Sequence, residues 1–254
     1  ERGDLRLGRR AAPTDLAGLN PDPAMAPDVI NNSWGCPTDE GCNPGNFAVM
    51  QAVVENVRAA GIFVAVSAGN DGSGCSTVNT PAAIYDASFS VGATGDHSDT
   101  IAGFSSRGPV TVDGSNRMKP DISAPGTCIR SSVPGNGYGD CWDGTSMAGP
   151  HVAGLVGLLI SAVPAVAGDV DRLEDLIRDS AVHPTFTGQC GVTAGVFPNN
   201  TFGAGRIDAL AAVNLLLSQA DFQVALTPAS QAVCAPTSAL FDVTVGQLGA
   251  FSEP

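Results

Sequence analysis

A serine stands at the start of an apolar, glycine-rich stretch, Gly144-Thr145-Ser146-Met147-Ala148-Gly149-Pro150-His151-Val152-Ala153-Gly154. Such a stretch folds as a helix, and the first turn of a helix carries unpaired N–H groups and the positive end of the dipole. A hydroxyl there has a donor at hand for the negative charge that builds up during acyl transfer. Ala148, Gly149, Ala153 and Gly154 let other backbone come close, although a serine in this position can also serve only as a helix cap. The second candidate is Asn70, in Val66-Ser67-Ala68-Gly69-Asn70-Asp71-Gly72, directly after an apolar run. Open α/β sheets collect ligands at the carboxyl ends of their strands, and an amide is a neutral donor able to face an oxyanion. On its own, an Asn close before Gly is as well explained by a turn. A third segment, Asn31-Asn32-Ser33-Trp34-Gly35, leaves the preceding apolar run at the same end. With Ser67, Ala68 and Gly69 it could form two rails for an extended peptide; as a lone motif it is a loop with one buried Trp.

These residues need a scaffold, and the chain writes one. Residues 28–31 read as a short buried strand. Phe47, Met50, Val53, Val54 and Val57 recur at helical spacing, with Asn46 as the N-cap and Gly61 just past the end. Residues 62–66 are apolar without alternation, as in a strand covered on both faces. Strand, helix and strand with short connections make a βαβ unit and a parallel sheet, so the class is α/β. Residues 89–91 add a strand. Helices are expected over 145–162, halted before Pro164, over 169–180, and over 208–217. Beyond 218 the period changes to two, at Phe222, Val224 and Leu226 and again at Phe241, Val243 and Val245, which predicts the first strands of an appended β-sandwich module.

The formal net charge of −13 argues against nucleic acid or an anionic membrane as partner. The apolar stretch 152–167 is shorter than a membrane span needs, and no apolar leader opens the chain. Seven cysteines are an odd number. Cys36 and Cys42 flank a short loop suited to a disulfide, and this favours an oxidising, extracellular setting. The other pairings, and the oligomeric state, stay open.

Taken in order, these segments resemble the subtilisin-like (subtilase) serine peptidases. Further matching runs are Phe104-Ser105-Ser106-Arg107-Gly108-Pro109, Lys119-Pro120-Asp121-Ile122-Ser123-Ala124-Pro125-Gly126 and Ile129-Arg130-Ser131-Ser132-Val133-Pro134-Gly135. Met25 through Trp34 and Trp142-Asp143-Gly144-Thr145-Ser146 are similar to the bacillopeptidase F-like branch. The resemblance spans residues 12–217, leaving 1–11 unmatched and 218–254 as linker and truncated module. It implies a three-layer α/β fold with a mainly parallel sheet, truncated at its N-terminal side. It also implies a serine endopeptidase acting on polypeptides, with Ser146 as nucleophile and Asn70 as oxyanion donor. Ser33, Trp34, Gly35, Ser67, Ala68 and Gly69 would then flank the substrate and its main pocket. A cis bond is expected at Thr80-Pro81. No cofactor is implied, and structural calcium, known among relatives, finds no compact acidic ligand run here.

The family's Asp and His lie in an Asp-Ser/Thr-Gly and a His-Gly-Thr-His segment ahead of these motifs, and neither occurs in this chain. His151 is five residues after Ser146 on one helix and faces away from its hydroxyl, while His97 and His183 read as surface residues. Without a base, Ser146 remains an ordinary alcohol, so the chain alone is expected to be inactive and, with a sheet edge unpaired, to fold poorly. An α/β-hydrolase is disfavoured because Ala148 stands where its Gly-x-Ser-x-Gly elbow needs glycine. The remaining alternative is a degenerate peptidase-like binding domain.

Overall fold

The computed structural model describes residues 19–20, 22–95, 98–219, 221–227 and 242–248. Its sheet has four parallel strands in the order β1 (Val29–Asn32), β2 (Phe63–Ser67), β3 (Phe89–Thr94) and β4 (Ile122–Pro125). The apolar run after Gly61 becomes β2, buried at every position as its lack of alternation requires. Alternate residues serve opposite faces. Phe63 and Ala65 of β2 join Phe89, Val91, Ile122 and Ala124 under helices α2 (Thr145–Ala162), α3 (Val170–Asp179) and α4 (Ala209–Ser218). Ile30, Val64 and Val66 meet Val54 and Val57 of helix α1 (Phe47–Ala59) on the other side. The result is a three-layer α/β arrangement, as the strand–helix pattern requires. Each large apolar side chain so buried contributes roughly 1.5–3 kcal/mol.

Helix α2 lies across all four strands. It is the one described helix long and apolar enough to cross a membrane. Val152, Leu155, Val156 and Leu159 bury its inner face in the core. Arg58 at the end of α1 is paired with Glu174 and with Asp171 at 2.5 Å, tying α1 to α3 at one end of the sheet. Burial works against the charge on Arg58, but the two carboxylates outweigh it and raise the pKa.

Gly61 fits the place expected of it, with a φ of +78° and so little room that a β-carbon would lie 3.0 Å from Gly168 backbone. Asn46 does precede α1, but its side chain makes no cap. Its Oδ1 accepts from Asn43 N and its Nδ2 donates to Gly41 O, because the disulfide loop before it offers unpaired backbone groups closer at hand. That loop is closed by Cys36–Cys42 as expected; Cys75–Cys190 and Cys128–Cys141 are further disulfides. The Thr80–Pro81 bond is not cis; among the described residues the cis prolines are Pro109, Pro120 and Pro198.

A two-stranded antiparallel hairpin, β5 (Ile129–Val133) and β6 (Gly137–Trp142), stands apart from the main sheet. Strands β7 (Asp221–Thr227) and β8 (Asp242–Leu248) pair antiparallel at the C-terminal side. Cys234, His97, Phe241 and the segment 1–11 lie outside the described residues.

Candidate active site

The first turn of α2 is set by Gly144, whose φ of +148° turns the chain sharply into the helix and whose N–H donates to Gly126 O at 2.8 Å. Thr145, 1% exposed, follows and acts as a hub. Its N–H and its hydroxyl both donate to Asn70 Oδ1 at 2.9 Å, and the hydroxyl accepts from Gly69 N at 3.2 Å. With Oδ1 so occupied, the Asn70 amide must present its Nδ2 donors away from Thr145. A β-carbon built on Gly144 would lie 3.7 Å from Asn70 Nδ2 and 3.6 Å from Ser146 N, so both nitrogens border one small space. Two N–H donors beside one serine are the elements of an oxyanion site.

Strand β2 brings Asn70 there because its exit bends at Gly69, with a φ of +109° and Ser106 Oγ 2.8 Å from where a β-carbon would be. Ser106 N donates to Gly69 O, and Ser106 Oγ accepts from Asp71 N. Farther along this loop, Gln189 Nε2 donates to Ser73 O and Arg107 donates to Gln189 Oε1. Arg107 is buried, and desolvation lowers its pKa below the usual arginine value.

Strand β1 meets Ser146 from the other side. Ser33 Oγ donates to the Ser146 carbonyl at 3.1 Å and accepts from Asn31 Nδ2 at 3.0 Å and Ser67 Oγ at 3.3 Å. Close approach is possible because Gly149 has no side chain; a β-carbon there would lie 2.5 Å from Asn31 Oδ1. Ser146, Asn70, Ser33, Ser67 and Gly69 therefore converge. Trp34 turns otherwise: its indole N–H donates to Asn32 Oδ1 at 3.1 Å and its ring packs on the α1 side, where Ala68 is also buried. Gly35 lies against Thr80 Oγ1.

Among the described residues no His or carboxylate is hydrogen-bonded to the Ser146 hydroxyl. His151 lines the same cleft, but its Nδ1 is 2.9 Å from Met147 O and bonds to its own helix. His183 is exposed and stacked on Phe197 at 4.4 Å. No group of three or more metal-ligating side chains occurs among the described residues.

Ser146 also opens onto a cleft of about 480 Å³ that contains none of the residues of β1 or β2. One wall is α2, through Met147, Pro150 and His151; the other is the hairpin, through Ile129, Val133 and Trp142. Sequence reasoning missed Thr145 and this wall. The signal for Thr145 was a polar, β-branched residue right after a glycine at a helix start, and the hairpin had only the turn sequence Pro134-Gly135-Asn136-Gly137.

Residues 10–205 match the Subtilase family (Peptidase S8). Bacillopeptidase F of Bacillus subtilis (strain 168) is 42% identical over 222 residues, which are 85% of this chain and 14% of that protein. Subtilisin E of the same strain is 42% identical over 151 residues, 58% of this chain and 35% of its own length. Among solved structures, an alanine mutant of the protease domain of PatA is 26% identical, with a TM-score of 0.55 over 76% of this chain and 60% of that one. A protease from Pseudoalteromonas arctica PAMC 21717 shares the fold at 23% identity, with a TM-score of 0.58 over 84% and 57% of the two chains.

Proposed function

The chain belongs to the subtilase family, and from that premise we propose that it is the nucleophile-bearing part of a serine endopeptidase domain. Ser146 attacks the scissile carbonyl, and Asn70 Nδ2 with Ser146 N–H receives the oxyanion. Ser33, Trp34, Gly35, Ser67, Ala68 and Gly69 flank the acyl side of a polypeptide substrate. The observation that carries this reading is the placement of Asn70 Nδ2 and Ser146 N around one space over Gly144. The fixed tether of Asn70 to Thr145 supports it further, since a donor held before reaction does not have to reorganise during it.

On this reading the base is supplied by the family's Asp and His segments, neither of which occurs in these 254 residues. Three features favour a place for it beside β1 and α2. Strand β1 is one of the two edge strands of the sheet as described, the one nearer Ser33. Asn31 Oδ1 and Asn32 Nδ2, at the tip of β1, are buried without a partner. The outward face of α2 carries exposed Gly154, Gly157 and Leu158, with open space at both glycines. Strands β7 and β8 we assign to an appended β module. The disulfides fit an oxidising, extracellular compartment.

Hydrolysis of a chromogenic peptide tests the proposal. The 254-residue chain should show no turnover, whereas a longer polypeptide that supplies both segments should show turnover abolished by Ser146→Ala. A Ser146-dependent activity of the isolated chain would contradict the missing-base account. Inactivity of the longer polypeptide, with peptide still bound, would favour the degenerate binding domain.

A further inference from the structure

The wall of the cleft facing Ser146 is fastened at its base by a disulfide that solvent reaches from both ends. Cys128 precedes β5 and Cys141 lies in β6, 13 residues apart in sequence, and both residues are exposed. Cys36 and Cys42 are both half-buried, and the third disulfide joins an exposed Cys75 to a half-buried Cys190, so only Cys128–Cys141 is exposed at both ends among the three. Beyond the bridge the hairpin is held by exposed contacts between its own strands, Arg130 to Asp140 at 3.5 Å and Arg130 over the Tyr138 ring at 4.9 Å. Arg130, Ser131 and Ser132 are exposed, and the ladder loses register between Ile129 and Ser131. The two ends meet again just below the disulfide, where Cys128 N donates to Asp143 Oδ1 at 2.8 Å and Gly144 N to Gly126 O at 2.8 Å. Cys141 is thus followed directly by Trp142 of the cleft wall, then by Asp143 and Gly144, and so by the turn that aims Ser146.

We propose that Cys128–Cys141 is a thiol-sensitive clamp: intact, it holds the hairpin wall against α2, and reduced, it releases that wall and weakens the hold on a peptide's leaving-group side. The peptide part rests on the peptidase reading above, because the β1 and β2 exits take the acyl side and leave the hairpin cleft for the rest. The chemistry is thiol–disulfide exchange with a dithiol. One reductant thiolate attacks a cystine sulfur to give a mixed disulfide. That attack breaks the Cys128–Cys141 bond and expels one cysteine as a thiolate, which takes up a proton. The second reductant sulfur, as thiolate, then attacks the reductant sulfur of the mixed disulfide and expels the other cysteine, leaving two protonated cysteines and a cyclic oxidised reductant, with two electrons transferred. An exposed disulfide is attacked ahead of shielded ones.

The test titrates the 254-residue chain with dithiothreitol, maps freed cysteines by alkylation and peptide mass spectrometry, and follows amide hydrogen exchange. Cys128 and Cys141 should be freed before the other bridged cysteines. Exchange in 129–142 should then rise about 100-fold, the opening expected on releasing a loop of this size, while β2, β3 and α2 keep their protection. Affinity for a fluorescent peptide seated across Ser146 should fall about 10-fold and return on reoxidation. The paired substitution Cys128→Ser with Cys141→Ser should reproduce the reduced state, and Cys75→Ser with Cys190→Ser should not. Prior reduction of another bridge, or hairpin exchange that ignores the redox state, overturns the clamp. If the hairpin responds but a longer polypeptide that also carries the family's Asp and His segments binds no peptide in either state, the clamp stands and the peptidase reading is what fails.

Discussion

Replacing Thr145 by Val keeps the shape of a residue that is 1% exposed and deletes only its hydroxyl. That hydroxyl receives Gly69 N–H at 3.2 Å and gives a bond of 2.9 Å to Asn70 Oδ1. Leaving a half-buried N–H without an acceptor costs roughly 1–3 kcal/mol. Asn70 would keep one anchor, the Thr145 N–H, so its amide gains freedom to swing away from the space above Gly144. A loss of about 2 kcal/mol corresponds to a fall in melting temperature of roughly 4–8 °C for a chain of this size. Calorimetry on the Val and Ser variants reads it directly. Thr145→Ser keeps the hydroxyl and should lose about 1 kcal/mol or less. In a polypeptide competent for turnover, Thr145→Val should lower kcat more than it raises KM, because the proposed role of the group it disturbs, Asn70, is to receive the oxyanion. The reasoning fails if Thr145→Val melts with the parent, or if Thr145→Ser loses as much as Val.

Lys119 is fully buried, with Nζ 2.6 Å from both Ser88 O and Asp121 Oδ2. Asp121→Asn should destabilise by about 3–5 kcal/mol in urea unfolding, and adding Lys119→Met should recover most of it, since the penalty is a stranded buried charge. Burial opposes ionisation of Asp113, but the Ser115 hydroxyl and N–H and the Arg117 guanidinium outweigh it and hold the carboxyl below its ordinary pKa. The unfolded chain therefore binds the proton more readily. The stabilisation is complete above the unfolded pKa of about 3.9 and is lost as pH falls through the lower folded value. Asp113→Asn should flatten that acid limb of the unfolding profile; an unchanged limb would remove the assignment.

Much of the scaffold was legible because burial on both faces writes itself plainly. The run at 62–66 and the helix over 145–162 are set by apolar continuity and by Gly61 and Pro164, and the observed elements differ by at most a residue. Strand β4 escaped notice because Ile122–Pro125 is four residues long and ends in proline. The hairpin β5–β6 escaped because a wall facing solvent on one side has little apolar patterning. Asn46 had the right type for a cap, yet the loop just before it claimed its side chain, through Asn43 N and Gly41 O. Cys75–Cys190 spans 115 residues, a distance across which spacing carries no information. Asn199-Asn200-Thr201 fits a glycosylation sequon by sequence, but Asn199 and Thr201 are buried and Asn199 Oδ1 accepts from Thr201 N and Phe202 N. At the site, Ser146 and Asn70 could be named from local sequence, whereas their joining through Thr145 is a contact between segments 75 residues apart.

The central claim is that Asn70 and Ser146 act on one carbonyl. Its most direct measurement is steady-state kinetics of Asn70→Ala in a longer polypeptide that also carries the family's Asp and His segments, with fluorophosphonate labelling mapped by mass spectrometry. The label should sit on Ser146, and kcat should fall about 10²–10³-fold with KM little changed, the scale seen when a subtilisin loses one oxyanion donor. A label on another residue, or an Asn70→Ala enzyme with unaltered kcat, would contradict the account.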